Sequence, residues 1–210
     1  MNIAVLGATG RTGVLLVHEL LTRGHHVTAL ARDPDKLRGG AERVTIVTGD
    51  SRDRAALARL VGGASAVVSA LGPTAREASL HTETARALVD AMHAAGVRRF
   101  VGVSGAGIDV PGDQKTASAR TISTIIQRVG GAVVRDKSAE YDVFAGSDLD
   151  WTLVRPPRLQ DGAATGRIEH DGHRSTRSTR ITRGDLAAFL VDALEQDLYV
   201  RGAPFVATAR

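Results

Sequence analysis

The feature that most constrains the fold is a glycine-rich segment near the start of the chain, Gly7-Ala8-Thr9-Gly10-Arg11-Thr12-Gly13. It follows a strand-like apolar run at residues 3–6 and leads into an amphipathic helical stretch. In such a turn Gly7 permits the tight bend, Gly10 lets a pyrophosphate approach the backbone, and Gly13 lets the helix pack on the strand. The glycine spacing of three and three differs from the common dinucleotide fingerprint, so the prediction depends on the strand–turn–helix context. The alternative is a glycine-rich turn that binds nothing.

Strand-like and helix-like segments alternate through the first half of the chain. Apolar runs of strand length occupy residues 3–6, 27–31, 44–47, 66–71 and 100–103. Helical stretches between them end at Gly24 and Gly96, which are natural helix stops. The alternation predicts right-handed crossovers in an α/β, Rossmann-like, doubly wound, mainly parallel sheet with helices on both faces.

The second half is less regular and predicts a small C-terminal cap. A helical region at 114–145 is interrupted at Gly130-Gly131, and a sixth strand at 151–154 stops at Pro156-Pro157. Short strands at 167–170 and 175–181 are predicted to form a hairpin through Asp171-Gly172. Thr182 is predicted to cap a last helix, and residues 204–207 to form a final strand. We expect one domain over residues 1–210, with the substrate side mainly from 105–185.

Composition narrows the function classes. The chain has no cysteine, which excludes thiol nucleophiles, and 43% hydrophobic residues, which excludes wholesale disorder. A net charge of +4 with only 3% aromatic residues argues against a nucleic-acid partner. No apolar run approaches the roughly 18 residues of a membrane span, and no basic leader opens the chain. We therefore expect a cytoplasmic protein, monomeric or homodimeric, whose partner is a small molecule.

The end of the second predicted strand indicates which dinucleotide is bound. NAD sites place a carboxylate there for the ribose hydroxyls, whereas NADP sites need positive charge for the 2′-phosphate. Here the strand is followed by Arg32, with Lys36 one helical turn further on, and Asp33 is expected to point the other way. The pattern favours NADP(H), and the alternative is that both cations are only solvated.

Several segments together resemble a known family. They are the Gly-Ala-Thr-Gly-x-Thr-Gly opening, Ala31-Arg32-Asp33, Thr48-Gly49-Asp50, Trp151-Thr152-Leu153-Val154-Arg155-Pro156-Pro157 and Ile181-Thr182-Arg183-Gly184-Asp185-Leu186-Ala187. The chain resembles the atypical short-chain dehydrogenases of the NmrA-like type, and within that group it is most similar to the flavin and biliverdin reductases. The resemblance covers nearly the whole chain. It implies a Rossmann sheet that binds NADPH.

The resemblance also implies roles for individual residues. The phosphates would be held by Gly7, Thr9, Gly10, Arg11, Thr12 and Gly13, and the 2′-phosphate by Arg32 and Lys36. Asp50 and Ser51 would flank the adenine, while Ala70, Leu71 and Gly72 would line the ribose on the nicotinamide side. Ser104 matches the active-site serine of the family, and its position after a strand agrees with the general location of ligands in open α/β sheets. The alternative for Ser104 is a turn or helix-cap serine.

One departure from typical short-chain dehydrogenases bears on the chemistry. Lys137 with Glu140 matches the Lys-x-x-Glu of relatives, but the position of the usual proton-donating tyrosine is Val133. Carbonyl reduction through a tyrosine is thus disfavoured, and an easily reduced conjugated acceptor is favoured. Ser104, Lys137 or solvent would meet the developing negative charge. Arg158, after Pro157, would bind an acidic group of the substrate, or else is a solvated arginine.

The remaining polar clusters carry weaker hypotheses. Glu169, His170, Asp171 and His173 resemble metal ligands but straddle the predicted turn, so we expect no metal. Arg174, Arg177 and Arg180 are predicted to alternate faces of a strand and so not to grip one anion. The sequence therefore predicts an NADPH-dependent reductase of a flavin, quinone or other planar conjugated acceptor. The alternatives are a non-catalytic NADP(H) sensor and, less favoured because the chain is short, a sugar-nucleotide epimerase.

Overall fold

A central parallel sheet organises the chain. The computed structural model describes residues 1–37, 43–72, 78–116, 120–121, 123–124 and 131–209. Six strands lie in the order β3-β2-β1-β4-β5-β6, and every neighbouring pair is parallel. They are β1 (Asn2–Leu6), β2 (His26–Ala31), β3 (Val44–Thr48), β4 (Ala66–Ser69), β5 (Arg99–Val103) and β6 (Asp150–Val154). This order confirms the predicted doubly wound sheet, since the chain reverses direction across the sheet between β1 and β4.

Helices cover both faces of this sheet. The main helices of the described residues are α1 (Arg11–Thr22), α2 (Arg54–Val61), α3 (Leu80–Ala95), α4 (Gly131–Ala145) and α5 (Arg183–Glu195), with a short 3-10 helix at Pro34–Leu37. On one face α1 and α5 bury Leu16, Leu20 and Leu190 against the sheet, while α2, α3 and Phe144 of α4 pack on the other. Along the described residues, no helix combines the length and apolar character needed to cross a membrane.

The C-terminal part forms two small sheets instead of the predicted hairpin. β8 (Ile168–Asp171) pairs antiparallel with β10 (Phe205–Thr208), and β7 (Arg158–Gln160) pairs in parallel with β9 (Arg180–Thr182). The hairpin prediction was wrong because residues 175–179 contain no apolar side chain to bury, whereas β10 supplies Phe205 and Val206. Asp171 turns the chain away by accepting the N–H groups of His173 and Arg174. The final strand was predicted correctly.

Two predicted boundaries also differ from the structure. The predicted helix at 114–145 does not begin at Gln114, which forms an isolated bridge with Arg174, and α4 begins at Gly131. Residues 117–119, 122 and 125–130 of that prediction lie outside the described residues. The fourth strand ends at Ser69 instead of Leu71, so the residues that follow it form a loop at the carboxyl edge of the sheet.

Candidate functional site

A cleft of about 260 Å³ lies at the carboxyl edge of the sheet, where β1 and β4 diverge. Segments that follow β1, β2, β3 and β4 surround it. Its lining is Gly7, Thr9, Gly10, Leu30, Ala31, Arg32, Gly49, Asp50, Ser51, Ala70, Leu71, Gly72 and Leu80. This is the point where doubly wound sheets bind dinucleotides, because the loops leave in opposite directions there and open a crevice.

The glycines of the first loop allow backbone segments to approach closely. Gly7 has φ +72°, and a Cβ on it would lie 2.7 Å from the backbone of Ala70 and Leu71. A Cβ on Gly13 would lie 2.0 Å from the carbonyl oxygen of Gly7, which shows how tightly α1 packs on this turn. No other residue fits at either position without moving the backbone. The loop therefore brings the end of β1 against the end of β4 and frames the cleft.

The N-terminus of α1 is suited to an anion. Gly10 is its N-cap, no side chain caps it, and its first turn contains no acidic residue. The unpaired amides and the positive end of the helix dipole favour a phosphate group. Among the predicted phosphate contacts, Gly7, Thr9 and Gly10 line the cleft, while Thr12 is buried in the helix. Arg11 instead contacts Asp161 at 3.3 Å, with both side chains more than 70% exposed.

The two cations predicted to hold the 2′-phosphate are placed differently. Arg32 is exposed and lines the cleft, next to the carboxylate of Asp50. Lys36 lies outside the lining and sits 3.8 Å from Asp33. The structure therefore supports Arg32 as the cation at this end of the cleft, and it does not bring Lys36 to the same place.

Asp50 and Ser51, predicted to flank the adenine, both line the cleft. A hydrogen bond from Arg52 to the Asp50 carboxylate, 2.9 Å long, lowers the pKa of Asp50. The Ser51 hydroxyl is buried and lies 2.9 Å from the hydroxyl of Thr84 on α3. The loop after β3 is thus fixed both within itself and to α3, which keeps this wall of the cleft in place.

The loop after β4 forms the opposite wall. Ala70, Leu71 and Gly72 line the cleft as predicted. The sequence reasoning missed four lining residues, Leu30, Ala31, Gly49 and Leu80. Leu30 and Ala31 end β2, so the rule that ligands lie at strand carboxyl ends was a signal that would have found them. Leu80 begins α3, and only the packing of that helix brings it to the cleft.

Ser104 and Lys137, the predicted catalytic residues, both lie near the end of β5. Ser104 is 8% exposed, its amide donates to Val154, and its hydroxyl has no hydrogen-bond partner among the described residues. The Lys137 ammonium is buried and donates to the carbonyl of Val103, 2.8 Å away, and to the Glu140 carboxylate, 2.9 Å away. Lys137 is therefore tied to the residue before Ser104, while the buried Ser104 hydroxyl has no partner among the described residues.

Behind Lys137 lies a buried polar cluster that sequence reasoning did not predict. His81 is 1% exposed, neither ring nitrogen has a hydrogen-bond partner among the described residues, and its Nδ1 lies 3.7 Å from Glu140. Burial and the nearby Lys137 charge lower the pKa of His81 to about 3, so the ring is neutral and the contact is not an ion pair. Burial raises the pKa of Glu140. Asp136 accepts the amides of His81 and Thr82 and so caps α3.

The predicted substrate residues Pro157 and Arg158 lie just beyond β6. Arg158 is exposed at the start of β7, and Pro157 is partly buried before it. Asp161, directly after β7, contacts Arg11 at the start of α1 and lies 3.5 Å from Arg183. The segment 158–161 therefore crosses the carboxyl edge of the sheet from β6 toward the glycine loop.

The two tyrosines of the chain lie away from the cleft lining. Tyr141 packs edge-on against Trp151 with ring centroids 5.7 Å apart, and the Tyr199 hydroxyl lies 2.6 Å from His170. Both tyrosines have raised pKa values, and burial is the main cause. Within the described part of the chain, no group of three or more potential ligands is arranged to hold a metal ion.

The sheet order and this cleft define a dinucleotide-binding protein of the Rossmann type. The glycine cradle and the uncapped α1 amides fit a pyrophosphate, which agrees with that class. The chain belongs to the NAD(P)H-binding family, whose model matches residues 7–197. The family resemblance and the nicotinamide cofactor predicted from the sequence are confirmed.

Similar proteins include both solved structures and a named reductase. A structure from Burkholderia pseudomallei is 34% identical, with 99% of each chain covered and a TM-score of 0.81. A short-chain dehydrogenase/reductase from Veillonella parvula in complex with NADP is 21% identical, covers 98% of this chain and 94% of its own, and has a TM-score of 0.81. The (4-alkanoyl-5-oxo-2,5-dihydrofuran-3-yl)methyl phosphate reductase of Streptomyces griseus is 30% identical over 90% of this chain, which spans 58% of that enzyme.

Proposed function

We propose that the protein is an NADPH-dependent reductase that transfers hydride to a flavin, a quinone or another planar conjugated acceptor. The observation that carries the proposal is the cleft between β1 and β4, with Arg32 at one end. Near the end of β5, the Ser104 hydroxyl has no partner within the described part of the chain. We expect the reaction to take place in the cytoplasm.

The residues present fit the cofactor as follows. The α1 amides would hold the pyrophosphate, and the Arg32 guanidinium would bind the 2′-phosphate through charge-assisted hydrogen bonds. Asp50 and Ser51 would flank the adenine, and Ala70 to Gly72 would line the ribose on the nicotinamide side. NADPH supplies the hydride when it is bound.

The proposed acceptor class is supported by the composition of the described cleft lining. Neither tyrosine lines the cleft, so the described lining has no phenol to protonate a ketone oxygen. An acceptor whose conjugated ring delocalises the incoming charge needs chiefly orientation and one hydrogen-bond donor. The Ser104 hydroxyl is suited to donate that bond, and Lys137 fixes the strand end that positions it. The Streptomyces relative reduces, by its name, a conjugated oxo-dihydrofuran, which supports this class of acceptor.

Single-turnover mixing of the protein with NADPH and one acceptor tests the proposal. With FMN or a simple naphthoquinone in excess, we expect NADPH to be consumed in proportion to protein, and more slowly in the Ser104→Ala variant. Tight NADPH binding with no oxidation across a panel of flavins, quinones and enones would contradict the reductase. That result would instead support an NADP(H)-binding sensor.

A further inference from the structure

We propose that Arg158 and Arg180 form a two-guanidinium clamp for a phosphate group of the acceptor, so that the preferred substrates are conjugated molecules carrying a phosphate monoester. The inference rests on the proposed reductase function and makes the substrate class more specific. It also assigns a role to Arg180, which the sequence pattern had grouped with Arg174 and Arg177.

The register of the small β7–β9 sheet places the two arginines side by side. Arg158 pairs with Arg180 and Leu159 with Ile181 in a parallel ladder. Ile181 is fully buried, and Leu159 packs against the same core. Because successive side chains alternate between faces and paired residues share a face, both arginines lie on the face opposite the core. Both are exposed.

The adjacent positive charges of Arg158 and Arg180 would be stabilised by a bound anion. Adjacent strands are only about 4.8 Å apart, and like charges directly opposite each other destabilise a sheet. Over the described residues, no carboxylate forms an ion pair with Arg158 or Arg180, whereas Arg155 and Arg183 each face an aspartate. A phosphate monoester offers three oxygens and nearly two negative charges, so it can accept hydrogen bonds from two neighbouring guanidinium groups.

The position of β7 separates this pair from the cofactor phosphates. β7 follows β6 through Pro156 and Pro157, and β6 is at one edge of the six-stranded sheet. Arg32 follows β2, on the other side of the β1–β4 crevice. The chain between Arg158 and Asp161 leads back to the glycine loop at Arg11. In the proposed arrangement, an acceptor lying between β5 and this loop presents its anionic group to the arginine pair, away from the 2′-phosphate.

FMN and riboflavin test the clamp, because they share one ring system and differ by one phosphate. For the wild type we expect a KM for FMN roughly 10-fold below that for riboflavin, because only FMN carries the phosphate that the arginines bind. The expected difference is modest because an exposed charge-assisted contact contributes less than a buried one. Arg158→Gln and Arg180→Gln should each raise the KM for FMN several-fold, leave kcat and the riboflavin KM nearly unchanged, and together remove the preference. Arg180→Lys should recover part of it. Arg177→Gln, an exposed arginine outside both strands, is the matched control.

Binding of FMN and riboflavin without NADPH, followed by flavin fluorescence, gives a readout independent of turnover. If the ratio of the FMN and riboflavin dissociation constants is the same in the wild type and both variants, the clamp is overturned while the reductase proposal stands. A rise in the KM for NADPH instead of FMN would place the cofactor phosphate at this pair and would equally overturn it. Failure of the wild type to reduce either flavin while binding FMN more tightly than riboflavin would remove flavins from the proposed acceptors but support the clamp.

Discussion

The guanidinium of Arg155 forms two parallel hydrogen bonds, each 2.7 Å long, with the two carboxylate oxygens of Asp113. Arg155 is fully buried, donates a third bond to the carbonyl of Ala203, and lies 3.8 Å from the ring centroid of Phe205. The pair joins the end of β6 to the loop that follows Ser104. It therefore holds together the two segments that flank the proposed acceptor position.

Removing one member of this pair should destabilise the protein strongly. We expect Asp113→Ala to lower the free energy of unfolding by about 3–5 kcal/mol, because it leaves the Arg155 charge buried without its partner. Urea denaturation measures this loss. Asp90→Ala, which breaks an exposed contact with Arg54, should cost less than about 1 kcal/mol. If the two variants lose the same free energy of unfolding, the Arg155–Asp113 pair is not what holds the loop that follows Ser104.

A methyl group at Gly13 should block the cofactor loop. Its Cβ would meet the Gly7 carbonyl at 2.0 Å, so α1 must shift away from the turn. We expect Gly13→Ala to abolish detectable NADPH binding by calorimetry and to lower the midpoint of thermal unfolding. Gly131→Ala is the control, since a Cβ there meets only a flexible arginine at 3.8 Å and a helical alanine is favoured by up to about 1 kcal/mol. Unchanged NADPH binding by Gly13→Ala would show that the loop tolerates displacement.

Reversing the charge at Arg32 should change cofactor selectivity. We expect Arg32→Glu to weaken NADPH binding by roughly 10- to 100-fold, because one or more charge-assisted bonds worth about 1.5–3 kcal/mol each are lost. NADH, which lacks the 2′-phosphate, should bind as well as before or better. Titration calorimetry with both cofactors measures the ratio, and Arg54→Glu on the exposed face of α2 controls for net charge. An equal loss of affinity for NADH and NADPH would show that Arg32 does not bind the 2′-phosphate.

Removing the Ser104 hydroxyl should separate activity from stability. The hydroxyl is buried without a partner among the described residues, so Ser104→Ala leaves no group unpaired and should keep or raise the free energy of unfolding. If the hydroxyl donates to the acceptor, the rate of NADPH oxidation should fall roughly 10- to 100-fold. Denaturation and single-turnover kinetics on the same preparation test both halves. Full activity in the variant would remove Ser104 from the proposed mechanism.

His81 should make stability depend on pH in a defined window. Its folded pKa of about 3 lies below the ordinary 6.5, so the unfolded chain takes up the proton first as the pH falls. The stability contributed by neutral His81 is fully present above pH 6.5 and is lost between about pH 6.5 and pH 3, by at most about 1.4 kcal/mol per pH unit.

His81→Leu isolates this effect, because leucine fills the buried site without titrating. Urea denaturation between about pH 6.5 and 4.5, above the range where most carboxylates titrate, should show a smaller slope in the variant than in the wild type. His93→Gln is the matched control, since His93 is exposed and its loss removes one surface contact with Asp148. Identical slopes in His81→Leu and the wild type would mean that folding does not lower the pKa of His81.

Local features of the sequence predicted the sheet and one end of the site. The apolar runs and the glycine loop predict β1 to β5 and a doubly wound parallel sheet, because each element and its crossover are encoded by neighbouring residues. Arg32 was predicted as a cleft residue for the same reason, since it follows its strand directly. Gly24 and Gly96 end α1 and α3 with φ values of +82° and +69°, as expected for helix stops.

Long-range packing decided the C-terminal strand pairing and the buried polar contacts. The hairpin prediction failed because β8 found an apolar partner, β10, more than thirty residues further along the chain. The contact between Arg155 and Asp113 spans 42 residues, and Asp136 caps α3 from 55 residues away, so no local pattern signals either. The sequence by itself determined the sheet, the glycine loop and the class of cofactor, because these depend on periodicity and backbone conformation over a few residues. Only the tertiary structure decided which buried charges meet and which arginines stand side by side, because those contacts arise when distant segments are packed together.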